Sequence, residues 1–142
     1  MMTHYKLRPA APGELGDNVV MDPSVHPPRI DHAHLEIDSW FGDELIESYP
    51  CLFISDDLAK TLESSRLGHY ELRSVEVSLS EDLPDEERAS VPHLHWLVLT
   101  GQAGQDDIGA TSTGRMVVSD QALEILRQHN IDHCDVIEYA GE

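Results

Sequence analysis

Positive charge is what this chain has least of. Its 142 residues include 9 Lys and Arg against 27 Asp and Glu, for a formal net charge of −18, and only Lys6 and Lys60 are lysines. A surface of that sign repels nucleic-acid phosphate and anionic lipid, so neither nucleic acid nor membrane is an expected partner. Cysteine is nearly absent, with Cys51 and Cys134 the two present. Two cysteines make no disulfide framework, and a reduced, cytoplasmic setting is the expectation. No apolar run approaches the roughly eighteen residues of a membrane helix. The N-terminal MMTHYKLRPAAPGELG has no apolar signal core and reads as mature sequence. GxSxG, HExxH and CxxC are also missing, so no familiar catalytic signature is available.

What is present fits a globular domain. Apolar residues make up 40% of the chain, enough for a core at this length, and residues 1–142 are expected to form a single domain. The acidic surplus favours a basic partner, because opposite potentials speed encounter and help select it. Solubility, or a host whose proteins are generally acidic, explains the same surplus more simply.

The clearest internal signal is a repeated sentence. PCLFISDDLAKTLESSRLGHYELRSVE and GRMVVSDQALEILRQHNIDHCDVIEY align without a gap when Ser55 is set over Ser119. Each begins with a short apolar run, Leu52-Phe53-Ile54 or Met116-Val117-Val118, suited to a buried strand. Ser55 or Ser119 then offers an oxygen to the free N–H groups of a helix start, followed by acids that suit the helix dipole. Leu58, Ala59 and Leu62 match Ala122, Leu123 and Leu126 as one apolar helical stripe. Breaks at Ser64-Ser65-Arg66 and His129-Asn130 lead to His69-Tyr70-Glu71-Leu72 and His133-Cys134-Asp135-Val136, each the start of a second strand. Two strand–helix–strand units over 50–77 and 114–139 are too few for a solenoid. They predict one pseudo-symmetric α+β domain with a mixed, mostly antiparallel sheet.

Elsewhere the pattern is plainer. Tyr5 and Leu7 alternate with Lys6 and Arg8 in a short strand that Pro9 ends. Residues 9–31 are Pro- and Gly-rich and read as a surface loop. Leu35 and Ile37 alternate in HAHLEID. SWFGDELIESYP reads as a short helix, with Asp43, Glu44 and Glu47 on a solvated face. Val75, Val77 and Leu79 alternate out of phase with Tyr70 and Leu72, which a bulge near Arg73-Ser74 would reconcile. Residues 81–92 read as a charged loop, HLHWLVLT as the clearest strand, and 101–114 as a glycine-rich connection. Asp106-Asp107 in that connection argues against phosphate binding.

Several constellations are candidates for chemistry. His32 with His34, and His93 with His95, each place two imidazoles on one face of a strand, where Asp31, His69, His133 or Cys134 could complete a metal site. If Trp96 and Val98 face inward, His93 and His95 face outward. Cys134 has His133 and Asp135 as neighbours, but adjacent strand residues point to opposite faces, so His133 is poorly placed to activate it. Cys51 reads as a small buried hydrophobe. Trp40 and Trp96 read first as core anchors. An exposed Trp40-Phe41 beside Asp38 and Asp43 would instead make an aromatic anchor with an acidic rim, as protein interfaces have. Charge and expected exposure nominate Asp82, Asp85, Glu86, Asp106 and Asp107, with Trp40, as partner-binding residues. No cofactor is implied.

The stretch HWLVLTGQAGQDDIG, with Trp96 and Asp106-Asp107, leading into GRMVVSDQALEILRQHNIDHCDVIEY, resembles the immunity proteins of bacterial polymorphic toxin systems and their uncharacterised relatives. The resemblance covers residues 94–139, and more loosely 50–77. It rests on the order apolar strand, Ser, leucine-bearing helix, break and final strand. It implies a cytoplasmic, non-catalytic protein that occludes a cognate toxin, with acidic side chains standing in for nucleic-acid phosphates before a basic target. The paired CxxC motifs of some relatives are absent, so their zinc site is not implied. The rival expectation is a metal- or small-molecule-binding protein using His32, His34, His93 and His95. The third is an orphan relative that keeps the fold in another role.

Overall fold

Apolar runs become strands and the capped stripes become helices in the computed structural model, which describes residues 3–141. The order is β1 (His4–Arg8), β2 (Gly13–Leu15), β3 (Val20–Asp22), β4 (Arg29–His32), β5 (His34–Ile37), β6 (Leu45–Ser48) and β7 (Cys51–Ser55). Then follow α1 (Asp56–Ser65), β8 (Tyr70–Arg73), β9 (Glu76–Leu79), α2 (Asp85–Ser90) and β10 (Leu94–Leu99). The chain closes with β11 (Ile108–Ala110), β12 (Met116–Ser119), α3 (Asp120–Leu126) and β13 (Asp135–Tyr139). The protein is α+β, with mostly antiparallel sheets.

The two similar sentences fold alike. Ser55 accepts a hydrogen bond from the Leu58 N–H at 3.1 Å, and Ser119 accepts one from the Ala122 N–H at 3.2 Å. Each satisfies a helix N–H that would otherwise be left without a partner. Leu58, Ala59 and Leu62, like Ala122, Leu123 and Leu126, are buried. Arg66 takes φ 63°, the left-handed turn that ends α1.

The strands of each unit are not neighbours, however. β7 and β8 are separated by β10 in one four-stranded sheet, ordered β6-β7-β10-β8. β12 and β13 are separated by β1 in the other, ordered β11-β12-β1-β13. Pairing registers make the correspondence residue by residue. Leu94 faces Ser55 and Leu97 faces Leu72 across β10, while His4 faces Ser119 and Leu7 faces Val136 across β1. β1 thus relates to β12 and β13 as β10 relates to β7 and β8. Taken in chain order, each half of the protein lends its first strand to the other half's sheet. After that loan the strands cross back: Ala10 bridges Ile46 of β6, and Gln102 bridges Ala110 of β11. Each repeat thus completes its sheet with a strand from the other.

Two cores result. Leu7, Leu45, Ile54, Leu97, Ile108, Met116 and Val118 join the stripes of α1 and α3 in one. Ile37, Trp40, Ile46, Phe53, Leu83 and Trp96 join in the second, where β2-β5-β9 meets the far face of β6-β7-β10. Sandwiched between the two, β7 is buried at every position, as its unbroken apolar run requires.

Several expectations need correction. Residues 9–31 contain β2, β3 and the start of β4 rather than loop alone. SWFGDELIESYP forms no helix; Leu45 and Ile46 lie on β6, with one side chain in each core. No bulge reconciles Tyr70 with Val77, because β8 and β9 belong to different sheets and β9 runs parallel to β5. Residues 81–92 hold α2, anchored by buried Leu83 and by the Arg88 guanidinium donating to the carbonyls of Ser80 and Leu83. The glycine-rich connection holds β11, where buried Ile108 supplies core.

Candidate functional site

The segment before β6 is where the two halves are clasped together. Glu44 sits just ahead of that strand, and its main chain is fixed in both directions: its N–H donates to the Asn130 carbonyl at 2.8 Å, and its carbonyl accepts the Ser55 N–H at 2.9 Å. Its carboxylate accepts the Ser55 hydroxyl at 2.8 Å and the Asn130 N–H at 3.0 Å, and lies 3.0 Å from His129 Nδ1. Burial pushes this carboxyl up, but the Asn130 N–H, the Ser55 hydroxyl and His129 outweigh it and hold the group below its ordinary value. Asp43, 2% exposed, accepts the His133 N–H at 2.9 Å and meets His133 Nδ1 at 2.8 Å. Gly42, at φ 89°, turns the chain here and offers its carbonyl to the Asn130 side chain at 3.0 Å.

The same device recurs in the second half. Asp107 stands just ahead of β11, accepts the Ser119 hydroxyl at 2.5 Å, and offers its carbonyl to the Ser119 N–H at 2.8 Å. In each half an acid before the edge strand grips the capping serine of the helix.

The first half develops this into an acidic concavity. A cleft of about 630 Å³ opens beside the start of α1. Asp43, Glu44, Asp56, Asp57 and Glu87 line it with Trp40, Gly42, Ser55, Ser90, Pro92 and His93. No Lys or Arg is among those lining residues. Asp56 is held below its ordinary value by the His95 hydrogen bond at 2.8 Å and by Lys60 at 3.1 Å. α2 forms one wall, and Glu87 accepts the Trp40 N–H at 3.1 Å, joining that wall to the floor. Glu44 and Asp56, both held below their ordinary values, contribute a negative potential that the low-dielectric walls focus. The Ser55 hydroxyl is already committed to Glu44 and to the helix cap. The cleft is suited to holding cationic groups.

The nominated partner-binding residues divide. Asp82, Asp85 and Glu86 are exposed as expected, the latter two on α2 beside the cleft wall. Trp40 is 8% exposed and belongs to the second core, in line with its first reading as a core anchor and not with the alternative of a projecting aromatic. Its neighbour Phe41 is the exposed aromatic, at 51%, tilted against His133 with ring centroids 5.5 Å apart. Asp106 and Asp107 are half-buried rather than free. Asp106 accepts the Gln102 N–H at 2.7 Å and lies 3.4 Å from His69, and Asp107 serves Ser119.

The histidine pairs do not converge on a common centre. His32 bonds Glu76 at 2.9 Å, and buried His34 is held between Ser78 at 2.8 Å and the Asn18 N–H at 3.0 Å. His95 bonds Asp56, while His93 meets it edge-on, with ring centroids 4.9 Å apart. Among the described residues no group of three or more His, Cys, Asp or Glu is arranged to hold a metal ion. Burial pushes the Cys51 thiol up to about 12 and the Cys134 thiol up to about 11, so both are poor nucleophiles at neutral pH. No helix among the described residues is long and apolar enough to cross a membrane.

Asp43 and Glu44 are the residues that sequence reasoning missed, having assigned them to a solvated helical face. The repeat held a signal for Glu44. An acid directly before an apolar strand precedes each capping serine, but by eleven residues in one copy and twelve in the other, which an ungapped alignment does not pair.

No protein-family profile matches the chain, and no curated protein matches it.

Proposed function

We propose that this protein is a non-catalytic binding module of the immunity-protein type, whose acidic cleft receives basic side chains of a toxin and occludes it. The observation that carries the reading is the cleft itself: about 630 Å³ with five carboxylates and no lysine or arginine in its lining. Asp43, Glu44 and Asp56 are already partnered by His133, by His129 and by His95 with Lys60, so that Asp57 and Glu87 supply the charge a ligand meets. Charge complementarity of this kind governs encounter rate and partner choice. The exposed Phe41 beside the cleft adds an apolar contact of the sort interfaces place at their centre. Asp85 and Glu86 on α2, with Asp82 just before that helix, add to the acidic field, and Asp57 and Glu87 supply it within the cleft.

A nona-arginine peptide serves as a stand-in for the basic target. Its affinity is measured by calorimetry at two salt concentrations for the parent, for Asp57→Asn/Glu87→Gln, and for Glu14→Gln/Glu124→Gln, which removes the same charge elsewhere. The reading predicts roughly tenfold weaker binding for the cleft variant and less than about twofold for the remote one, with the difference shrinking as salt rises. Equal weakening in the two variants would mean that diffuse net charge, not the cleft, attracts the peptide.

A further inference from the structure

A different concavity carries charge of the opposite sign. A cavity of about 280 Å³ lies where the start of β7 and the far end of β10 approach the turn before β4. Its charged lining residues are Arg29 and Arg73, and no Asp or Glu lines it. In a chain whose acids outnumber its bases 27 to 9, a pocket with two arginines and no carboxylate runs against the composition. The rest of the wall is apolar, with Leu52, Val98 and Trp96 prominent.

The arginines are positioned for more than their present contacts. The Arg73 guanidinium lies 5.5 Å from the centre of the Trp96 ring, beside the apolar wall. It donates to Glu71 through Nη2 at 2.7 Å. Arg29 reaches Asp31 at 3.3 Å and Asp22 at 4.0 Å. The Arg73–Glu71 and Arg29–Asp31 pairs are exposed and solvent-screened, weak enough for an incoming anion to share or replace. A guanidinium fork matches a carboxylate in two parallel hydrogen bonds, which a lysine would not do.

We propose that this cavity binds a small aromatic carboxylate, its ring against Trp96, Val98 and Leu52 and its carboxylate on Arg73 and Arg29. The volume falls just below the roughly 300–1,000 Å³ of sites for drug-sized ligands, which limits the body to about two fused rings. The net charge of −18 makes the site discriminating, since non-specific uptake of an anion by such a surface is disfavoured. This site is independent of the acidic cleft.

The test uses 1-naphthoate and its uncharged counterpart 1-naphthalenemethanol, titrated calorimetrically into the intact protein, into Arg73→Gln and into Arg29→Gln/Arg73→Gln. Both arginines are exposed, and circular dichroism checks that the variants stay folded. The parent is expected to bind the acid at least fivefold tighter than the alcohol. Arg73→Gln reduces that preference, and the double variant abolishes it while keeping the weak affinity for the alcohol. The proposal is overturned if the parent binds neither compound at millimolar concentration or prefers the alcohol. It is equally overturned if the double variant keeps the parent's preference for the acid.

Discussion

Replacing Ser55 with alanine tests the link between the helix cap and the clasp. The Ser55 hydroxyl does two jobs at once, accepting from the Leu58 N–H at 3.1 Å and donating to Glu44 at 2.8 Å. Loss of a serine cap costs about 0.5–2 kcal/mol. A hydrogen bond to a charged group contributes about 1.5–3 kcal/mol, and the lower end applies because Glu44 retains the Asn130 N–H and His129. Ser55 is 2% exposed, so water does not readily replace the lost partner. The sum is about 2–3.5 kcal/mol, a fall in Tm of roughly 6–12 °C for a chain of this size. Ser119→Ala, removing the equivalent hydroxyl from Asp107, should cost the same within about 1 kcal/mol if the two halves are built alike. Chemical denaturation of both single variants, and of a Ser55→Ala/Glu44→Gln cycle, measures these quantities. The cycle should show a coupling of at least about 0.5 kcal/mol between Ser55 and Glu44. A cost below about 0.5 kcal/mol for either serine, or strict additivity in the cycle, would refute the reasoning.

The remaining predictions concern the interlock and its acids. Leu7→Ala, in a strand that one half lends to the other, should cost about 2–5 kcal/mol and unfold both halves in one transition, since Leu7 is 1% exposed within the shared core. Separate melting of the halves by two spectroscopic probes would contradict the exchange of strands. The depressed carboxyls of Glu44 and Asp56 stabilise the fold above their ordinary values of 4.5 and 3.8, and that contribution disappears as pH falls through their lower folded-state values. Denaturant midpoints should therefore decline as pH falls from about 5, and Glu44→Gln should flatten the decline. A variant whose midpoint falls as steeply as the parent's would remove Glu44 from that role.

Much of the fold was legible in the sequence because local signals agreed with each other. The capping serines, the leucine stripes and the apolar runs of β7 and β12 each specify one local structure, and the structure keeps all of them. The strand partners were not legible, because nothing local in HYKLR or HLHWLVL says that each will be inserted into the other copy's unit. Short strands such as Gly13–Leu15 and Ile108–Ala110 were lost for a related reason: three residues are too few to display alternation, and their glycines read as turns. The site fared worse than the fold. Asp43 and Glu44 look like ordinary surface acids until His129, Asn130 and His133 are brought to them from nearly ninety residues away. Conversely, Asp106 and Asp107 look free in a glycine-rich stretch, yet a local turn draws Asp106 to the Gln102 N–H and the end of β12 brings Ser119 to Asp107. Charge count survives folding, whereas charge availability is decided by it.

The most direct test of the acidic cleft is a map of where a basic ligand lands. Titrating nona-arginine into ¹⁵N-labelled protein and following amide shifts reports that position without altering the protein. The account predicts the largest shifts at Gly42–Glu44, Ser55–Asp57 and Ser90–His93, the segments lining the cleft. Shifts spread evenly over the acidic surface, or centred on Glu14 and Glu36 of the outer sheet, would contradict it.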